Sequence, residues 1–291
     1  MVDQRLCIAG LGLMGGSLAL ALKGKTRQII GVDRHAATRQ QALADGAVDV
    51  VTKDLASGVA EADLVILATP VRTILSILRE LPALRPDGCL VFDMGSTKLA
   101  INEAMSALPE SFAALGGHPM CGKETAGYGA ADADLFRDKT FILTRNQRST
   151  EAVEEIILAM LAEIGANPLF LSAEHHDQLV ATVSHLPYLL SAALMRFASA
   201  QEDPALWQTS ASGFRDVSRL AGSDPHMLLD ILLTNKTVVL EQLEAYSGEL
   251  AAVKQLLAEE DEEALADWLS SAQRQYIGYR QAKKALESDN S

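Results

Sequence analysis

The chain of 291 residues is long enough for two ordinary domains, and its 48% hydrophobic and 22% charged residues are typical of a folded, soluble protein. Its formal net charge of −13 argues against nucleic acid or an anionic membrane surface as a partner, because the summed negative field would repel both. The three cysteines fit neither a disulfide framework nor a zinc-binding CxxC pair, which indicates a reducing cytoplasm and predicts no metal site.

The first part of the chain alternates short apolar runs with helical stretches, a pattern that predicts βαβ units and a mostly parallel sheet. The N-terminus is apolar, but Asp3 and the glycines before Ser17 interrupt it, so we predict folded structure there and no signal peptide or membrane span. The predicted strands cover residues 5–10, 28–33, 63–70, 89–95, 112–117, 139–144 and 168–172, with helices at 17–23, 37–44, 71–81 and 151–164.

Three glycines with the spacing GxGxxG, Gly10, Gly12 and Gly15, lie between the first predicted strand and a helix. In a dinucleotide-binding unit the first glycine permits a tight turn, the second lets the backbone approach a pyrophosphate, and the third lets the helix pack closely on the strand. Leu13 and Met14, at the start of the helix, are predicted to contact the same cofactor. The motif in this context predicts an N-terminal Rossmann-type domain.

The end of the second predicted strand indicates which cofactor is bound. Asp33 stands there, where an acidic side chain can accept hydrogen bonds from both ribose hydroxyls and would repel a 2′-phosphate. This residue favours NAD over NADP. Arg34 weakens the preference, since its guanidinium could accommodate the phosphate, and NADP therefore remains an alternative.

The residues that follow the later strands should meet at one edge of the sheet, because ligands of an open α/β sheet bind outside the carboxyl ends of its strands. Thr69 and Pro70 would line the nicotinamide side of the cleft there, although a strand-ending turn explains them equally well. Ser96 could bind an imidazole nitrogen or a substrate hydroxyl. His118 precedes Pro119 and should therefore be extended, with its ring projecting from the strand end.

After residue 172 only helical patterns remain, which predicts a dinucleotide-binding domain at 1–172 and an all-α domain at 173–291. The first long helical pattern carries Pro187, which should kink it. The next begins at Asp224, a residue suited to the N-cap, and is followed by a proline at the first helical position.

Five polar residues have an ordinary structural explanation. Arg215 and Arg219 are four residues apart on one helical face, and a solvated ion-pair face explains them more readily than a binding site does. His175 and His176 are adjacent and do not share a face, so we interpret them as polar residues at a helix start and not as metal ligands. Lys98 is more typical of a helix or sheet edge than of catalysis.

The chain resembles the prephenate and arogenate dehydrogenase family of tyrosine biosynthesis over roughly residues 5–245, in the motifs GLGLMGGSLA, GSTK, GGHPMCGKE, VSHLP and SGFRDVSRLAGSDP. GHPM, SHLP and GFRDxSR are specific in combination, whereas GLGLMG is shared with other dehydrogenases. The resemblance implies a cytoplasmic enzyme that oxidatively decarboxylates prephenate to 4-hydroxyphenylpyruvate and CO2 with NAD. It also implies a homodimer formed through the helical domain.

The resemblance further implies a role for each matched residue. His118 would contact the ring 4-hydroxyl of the substrate and act as general base, and Ser96 would orient both His118 and that hydroxyl. By the same resemblance, Arg219 would hold a substrate carboxylate, and His185 and Glu124 would lie around the substrate side chain.

Lys123 and Glu124 leave the substrate open, because a lysine favours the additional negative charge of prephenate and an acid favours the amino group of arogenate. Arogenate is therefore the alternative substrate. Two readings are more distant. A β-hydroxyacid-type dehydrogenase would not need GHPM and SHLP, and a catalytically inactive nucleotide-binding protein would not need Ser96, His118 and Arg219.

Overall fold

The structure is a computed structural model, and it describes residues 3–289. The chain falls into two compact units that divide between Val238 and Val239. The first unit contains the whole sheet and the helices packed around it. The predicted domain boundary at residues 172 and 173 lies inside this first unit, where strands give way to helices, and it stays a prediction.

A single eight-stranded sheet forms the centre of the first unit. Its strands are β1 (Arg5–Ala9), β2 (Gln28–Val32), β3 (Val50–Thr52), β4 (Leu64–Leu67), β5 (Leu90–Asp93), β6 (Ala113–Pro119), β7 (Thr140–Thr144) and β8 (Asn167–Leu171). They lie in the order β3-β2-β1-β4-β5-β6-β7-β8, and only the β6–β7 pair is antiparallel. The predicted Rossmann-type, mostly parallel sheet is thus confirmed, with β3 as an additional short edge strand.

The apolar runs of the sheet are buried on both faces, which explains why they read as continuous hydrophobic stretches. In β1, Leu6 and Ile8 belong to one core cluster, whereas Cys7 and Ala9 belong to the cluster on the other face. This alternation follows from the two-residue period of a strand. The sheet is therefore a rigid platform from which the loops after its strands project.

Thirteen α-helices are found among the described residues, and those of the first unit pack around the sheet. The thirteen helices are α1 (Leu13–Leu22), α2 (Ala36–Ala44), α3 (Leu55–Val59), α4 (Val71–Leu84), α5 (Leu99–Ser106), α6 (Glu151–Glu163), α7 (Ala173–Val180), α8 (Leu186–Ser199), α9 (Ala205–Thr209), α10 (Ser212–Ser218), α11 (Pro225–Thr234), α12 (Lys236–Glu259) and α13 (Glu262–Asp289). The short helices α3 and α5 were not predicted. After β8 the described residues form no further strand, as expected for the helical part.

The helical stretch that follows β8 is irregular where Pro187 was expected to disturb it. A π-helical turn, Ala181–His185, joins α7 to α8. Pro187 has no N–H to donate to the preceding turn, so the regular hydrogen-bond ladder cannot run through it. The stretch Ala173–Ser199 is long and apolar enough to cross a membrane by length and composition. One such helix is weak evidence for a membrane span, because the core helix of a soluble protein passes the same test.

The next helices confirm one prediction and refine another. Asp224 caps α11 as predicted, since its Oδ1 accepts a hydrogen bond from the backbone N–H of His226 at 2.9 Å. The long apolar pattern after it is divided at Asn235, between α11 and α12. In the second unit, α12 and α13 expose several large apolar side chains, namely Leu240, Leu250, Leu257, Leu269, Tyr276, Ile277 and Tyr279.

Candidate active site

The turn between β1 and α1 has the geometry that the glycine motif predicts. Gly10 has φ +95°, and a Cβ there would lie 2.7 Å from the carbonyl oxygen of Ala68. A Cβ on Gly15 would lie 1.9 Å from the carbonyl oxygen of Gly10, so only glycine permits this packing of helix on strand. By contrast, nothing lies within 4 Å of a Cβ built on Gly12. The turn is therefore tightly packed at Gly10 and Gly15, whereas the space next to Gly12 is free for a ligand.

Two cavities meet at this turn, with volumes of about 380 and 330 Å³. Their walls share Gly12, Ala68, Thr69 and Pro70. The larger cavity also contains Asp33, Arg34, His35, Leu55, Thr73 and Ile77 in its wall. The smaller cavity is lined in addition by Leu13, Met14, Ser96, Lys123, Glu124, Ser223, Asp224 and Met227, among others. An elongated ligand that fills both cavities would pass directly over Gly12.

Asp33 is fixed in the wall of the larger cavity by two backbone amides. Leu11 N–H donates to its Oδ2 at 3.0 Å and His35 N–H to its Oδ1 at 2.8 Å. Arg34 is exposed beside it, and its Nε lies 3.0 Å from Nε2 of His35. A second guanidinium, which the sequence did not indicate, donates from Nη1 of Arg39 to the carbonyl oxygen of Asp33 at 2.7 Å. The end of β2 therefore carries both an acidic side chain, which favours NAD, and a basic side chain, which could accommodate the 2′-phosphate of NADP.

Thr69 presents an unsatisfied polar atom in the wall that the two cavities share. Its Oγ1 is buried and has no hydrogen-bond partner among the described residues. A buried hydroxyl without a partner costs about 1 to 3 kcal/mol, which a polar ligand group would recover. The orphaned hydroxyl and the open face of Gly12 together fit a dinucleotide better than an apolar ligand.

His118 lies near the end of β6 and is held by another histidine. Its Nδ1 is 2.8 Å from Nε2 of His176, and the two rings meet edge-on with centroids 5.0 Å apart. Nδ1 of His176 is in turn 2.7 Å from Oδ1 of Asp177. His176 does lie near the start of α7, as interpreted from the sequence, but its side chain is 0% exposed, which the sequence did not indicate. Neighbouring residues on a helix point about 100° apart, and here His175 faces solvent while His176 faces the sheet.

The histidines of this region are uncharged near neutral pH. Burial, with smaller effects from His176 and Lys98, lowers the pKa of His118 well below its ordinary value. Burial also lowers the pKa of His176, against the effect of its hydrogen bond to Asp177. It lowers the pKa of His185 to about 4. A neutral imidazole at His118 has a free lone pair and can accept a proton.

Lys98 is also completely buried, at the N-terminus of α5, where the sequence suggested only a helix or sheet edge. Its Nζ pairs with Oδ2 of Asp93 and donates to the carbonyl oxygen of Gly117 at 2.6 Å. Oδ1 of Asp93 accepts from the Gly117 N–H at 3.1 Å. The residue that precedes His118 is thus held through both its backbone groups. Burial lowers the pKa of Lys98, and the charge of Asp93 opposes that shift.

Arg219 and Glu124 are brought together at the mouth of the site. Nη1 of Arg219 donates to Oε1 of Glu124 at 2.8 Å, with the two side chains 57% and 76% exposed. A pair this exposed contributes about 0 to 1 kcal/mol, so a competing carboxylate can replace Glu124 at small cost. Lys123 is turned aside, since its Nζ donates to Oδ2 of Asp132 at 3.0 Å and to the carbonyl oxygen of Ala130 at 3.1 Å.

Ser96 and His185 make no hydrogen bond to His118 among those observed in the described residues. Ser96 lines the smaller cavity, on the loop after β5, the strand next to β6. The hydrogen-bond partner of Nδ1 of His118 is Nε2 of His176 and not Ser96. His185 is buried in the π-helical turn, and its Nδ1 is 3.4 Å from Nδ2 of Asn235. Among the described residues, no group of three or more His, Cys, Asp or Glu side chains could hold a metal ion.

Two family models cover most of the chain. Residues 17–169 match the prephenate dehydrogenase nucleotide-binding domain, and residues 172–271 match the prephenate dehydrogenase dimerization domain. The chain belongs to the prephenate dehydrogenase family. This membership confirms the predicted family and the assignment as an oxidoreductase with a nucleotide-binding domain. It also sets aside the β-hydroxyacid-type alternative.

Individual members of the prephenate dehydrogenase family are similar over almost the full chain. Prephenate dehydrogenase of Bacillus subtilis is 35% identical over 277 residues, which cover 93% of this chain and 75% of that protein. The crystal structure of prephenate dehydrogenase from Aquifex aeolicus in complex with hydroxyphenyl propionate and NAD+ is 30% identical, with a TM-score of 0.88 and coverage of 96% and 99%. Arogenate dehydrogenase of Synechocystis is also 30% identical, with a TM-score of 0.80 and coverage of 94% and 99%.

Proposed function

We propose that the chain oxidatively decarboxylates prephenate to 4-hydroxyphenylpyruvate and CO2 with NAD, in tyrosine biosynthesis. The observation that carries the proposal is the placement of His118, held by His176 near the carboxyl end of β6, beside the strand that delivers Ser96 to the smaller cavity. Burial lowers the pKa of His118, which favours the neutral imidazole that a base requires. Members of the family with this fold are named prephenate dehydrogenase, which supports the same reaction.

The reaction needs a base at the ring hydroxyl. The residues of the glycine turn would hold NAD, which would supply the acceptor for the hydride of the ring carbon. His118 takes the hydroxyl proton as the hydride leaves, and loss of the ring carboxylate as CO2 then gives the aromatic product. A positioned base of this kind is worth about 10² to 10⁴ in rate. Ser96 would orient the hydroxyl from the neighbouring strand end.

The substrate has negatively charged carboxylates, and the protein has a net negative charge, so binding requires a positively charged side chain in the site. We assign this role to Arg219, whose guanidinium can bind a carboxylate through two parallel hydrogen bonds worth roughly 1.5 to 3 kcal/mol. The substrate carboxylate would compete with Glu124 for the same group. His185 and Lys123 are assigned to the surroundings of the substrate side chain.

We assign the cofactor-binding residues according to the cavity that each of them lines. The amides at the glycine turn, including those of Leu13 and Met14, would hold the pyrophosphate over Gly12. Asp33 would bind the ribose hydroxyls in the larger cavity and favour NAD, whereas Arg34 leaves NADP as the alternative cofactor. Thr69 and Pro70 would contact the cofactor where the cavities join.

Arogenate is the second candidate substrate, and one contact favours it. Lys123, whose charge would favour prephenate, is bonded to Asp132. The carboxylate of Glu124 is held by an exposed pair with Arg219, and once a substrate carboxylate replaces it there, it could approach an amino group on the substrate. An assay decides between the two substrates: purified protein with NAD or NADP, offered each substrate separately and followed by the absorbance of the reduced cofactor. Absence of turnover with both substrates would reject the proposed function.

We also propose that residues 1–172 bind the dinucleotide, and that residues 173–291 complete the substrate site and form a homodimer in the cytoplasm. The match of residues 172–271 to a dimerization domain supports the homodimer, as do the exposed apolar side chains of α12 and α13. Nucleic acid and membranes are not proposed as partners. Sedimentation equilibrium measures the oligomeric state, and a monomer at micromolar concentration would contradict the homodimer.

A further inference from the structure

A buried row of three side chains runs inward from His118, through His176, to Asp177. Nδ1 of His118 and Nε2 of His176 are 2.8 Å apart, and Nδ1 of His176 is 2.7 Å from Oδ1 of Asp177. The side chains of both His176 and Asp177 are buried, so water does not compete for these bonds. The proposed function gives neither residue a role.

Asp177 determines which atoms donate and which accept in the two hydrogen bonds of this row. Its Oδ1 also accepts from the backbone N–H of Lys98 at 2.7 Å, and its Oδ2 accepts from the N–H of Leu99 at 3.0 Å. A carboxylate held by two backbone donors is an acceptor for its third partner as well. Nδ1 of His176 therefore carries the proton and donates it to Asp177.

The proton on Nδ1 of His176 fixes which ring nitrogen of His118 is protonated. A neutral His176 that is protonated on Nδ1 has only a lone pair on Nε2. His118 must then donate from its own Nδ1–H, which leaves the lone pair of His118 on Nε2. The opposite direction would require a charged His176 inside the protein, and burial works against that charge.

We propose that His176 and Asp177 are positioning residues that select the tautomer of His118 with a free Nε2, the atom that takes the substrate proton. This inference rests on the proposed function of His118 as general base. In the step itself the substrate O–H bond breaks, an N–H bond forms at Nε2, and the electron pair stays on the oxygen as the hydride leaves for the cofactor. His176 and Asp177 keep their own protonation states, as the orienting members of such arrangements do.

Other charged groups around His118 do not disturb this assignment. The ammonium of Lys98 disfavours a proton on His118, but it is paired with Asp93. His185 is neutral near pH 7 because burial lowers its pKa to about 4. The negative charge of Asp177, relayed by the ring of His176, is therefore the favourable partner of the imidazolium that forms during turnover.

The direct test is ¹⁵N NMR of the histidine rings in the full-length protein near pH 7.5. We expect His118 to show a protonated Nδ1 and an unprotonated Nε2 in the wild type. The variant His176→Leu should show a mixture of both tautomers, and its kcat should fall by about 10² or more while substrate KM changes little. His176→Gln, which retains an acceptor for the Nδ1–H, should recover part of the lost kcat. His175→Leu, on the adjacent exposed position, is the matched control.

The outcomes separate the two proposals. If the wild type oxidises neither prephenate nor arogenate, the proposed function is wrong. If the wild type is active and His118→Asn is equally active, the base role of His118, on which this inference rests, is wrong. If His118 is required but its wild-type Nε2 carries the proton, or if His176→Leu turns over within twofold of the wild type, the positioning role is wrong. Should His176→Leu fail to fold, the wild-type spectrum alone still decides, because it reports the tautomer directly.

Discussion

Lys98 and Asp93 form a buried ion pair that holds both backbone groups of Gly117, the residue before His118. The side chains of the pair are completely buried, so neither charge has water as an alternative partner. The pair therefore links the stability of the first unit to the placement of His118.

The variant Lys98→Met should lower the free energy of unfolding by about 3 to 5 kcal/mol, because it leaves the carboxylate of Asp93 buried without its cation. Urea denaturation followed by circular dichroism measures this change. The double variant Lys98→Met with Asp93→Asn should regain part of the loss, since no uncompensated charge remains. Lys139→Met, at an exposed lysine, is the control, and an equal loss in that variant would contradict the expectation.

Replacing the proposed base, His118, should lower the rate of turnover strongly and leave the affinity for the cofactor unchanged. We expect His118→Asn to lower kcat by about 10² to 10⁴, because the asparagine amide cannot accept the hydroxyl proton. The dissociation constant for NAD should stay near that of the wild type. Steady-state kinetics and fluorescence titration measure the two quantities. Near-normal turnover of His118→Asn, compared with His175→Asn, would remove the base role.

Loss of the proposed carboxylate partner should weaken substrate binding. Arg219→Gln should raise the KM for prephenate by about 10- to 100-fold, as expected when one charged hydrogen bond is lost. Arg215→Gln is the matched control, because Arg215 is exposed and lies 3.3 Å from Asp216 rather than at Glu124. An unchanged KM in Arg219→Gln would exclude this arginine from the substrate site.

Cofactor preference should depend on the charge of Asp33. The wild type should have a higher kcat/KM with NAD than with NADP, and Asp33→Asn should narrow the ratio by about tenfold or more by removing the repulsion of a 2′-phosphate. The substitution retains the shape of a side chain that is fixed by Leu11 and His35. If the wild type prefers NADP, the guanidinium of Arg34 outweighs Asp33.

Stability should decrease as the pH falls from about 6.5 towards 4. The folded-state pKa of His185 is lowered from 6.5 to about 4, so in this range the unfolded chain binds a proton that the folded chain does not. The free energy of unfolding therefore rises with pH, and His185 accounts for roughly 3 kcal/mol of the full change. The lowered pKa values of His118 and His176 act in the same direction.

Urea titrations at several pH values above about 5, where most carboxylates stay charged, isolate the histidine contribution. His185→Gln should show a shallower dependence than His175→Gln, whose replaced histidine is exposed. Equal slopes in the two variants would show that His185 does not contribute.

Local patterns were sufficient to predict most of the sheet and the cofactor turn. The GxGxxG spacing and the buried apolar runs are properties of consecutive residues, and β1, β2, β4 and α1 follow from them directly. The strand β3 is only three residues long and partly exposed at the sheet edge, so it leaves almost no periodic signal.

The buried network could not be predicted because its members are distant in sequence. His118 meets His176 across 58 positions, and Asp177 reaches the amide of Lys98 across 79. The pattern showed that His175 and His176 point in different directions, but not which one faces the sheet. Only the docking of α7 on the sheet decides that question, and docking depends on the complete set of tertiary contacts.

The junction of the two cavities at Gly12 has a consequence for inhibitor design. The site consists of two compartments, one with Asp33 and the other with Ser96 in its wall, and the two walls share Gly12, Ala68, Thr69 and Pro70. A small molecule confined to the Ser96 compartment would compete with the substrate without displacing an adenosine moiety from the Asp33 compartment. Selectivity over other dinucleotide enzymes would then come from Glu124, which lines the Ser96 compartment, and from its partner Arg219.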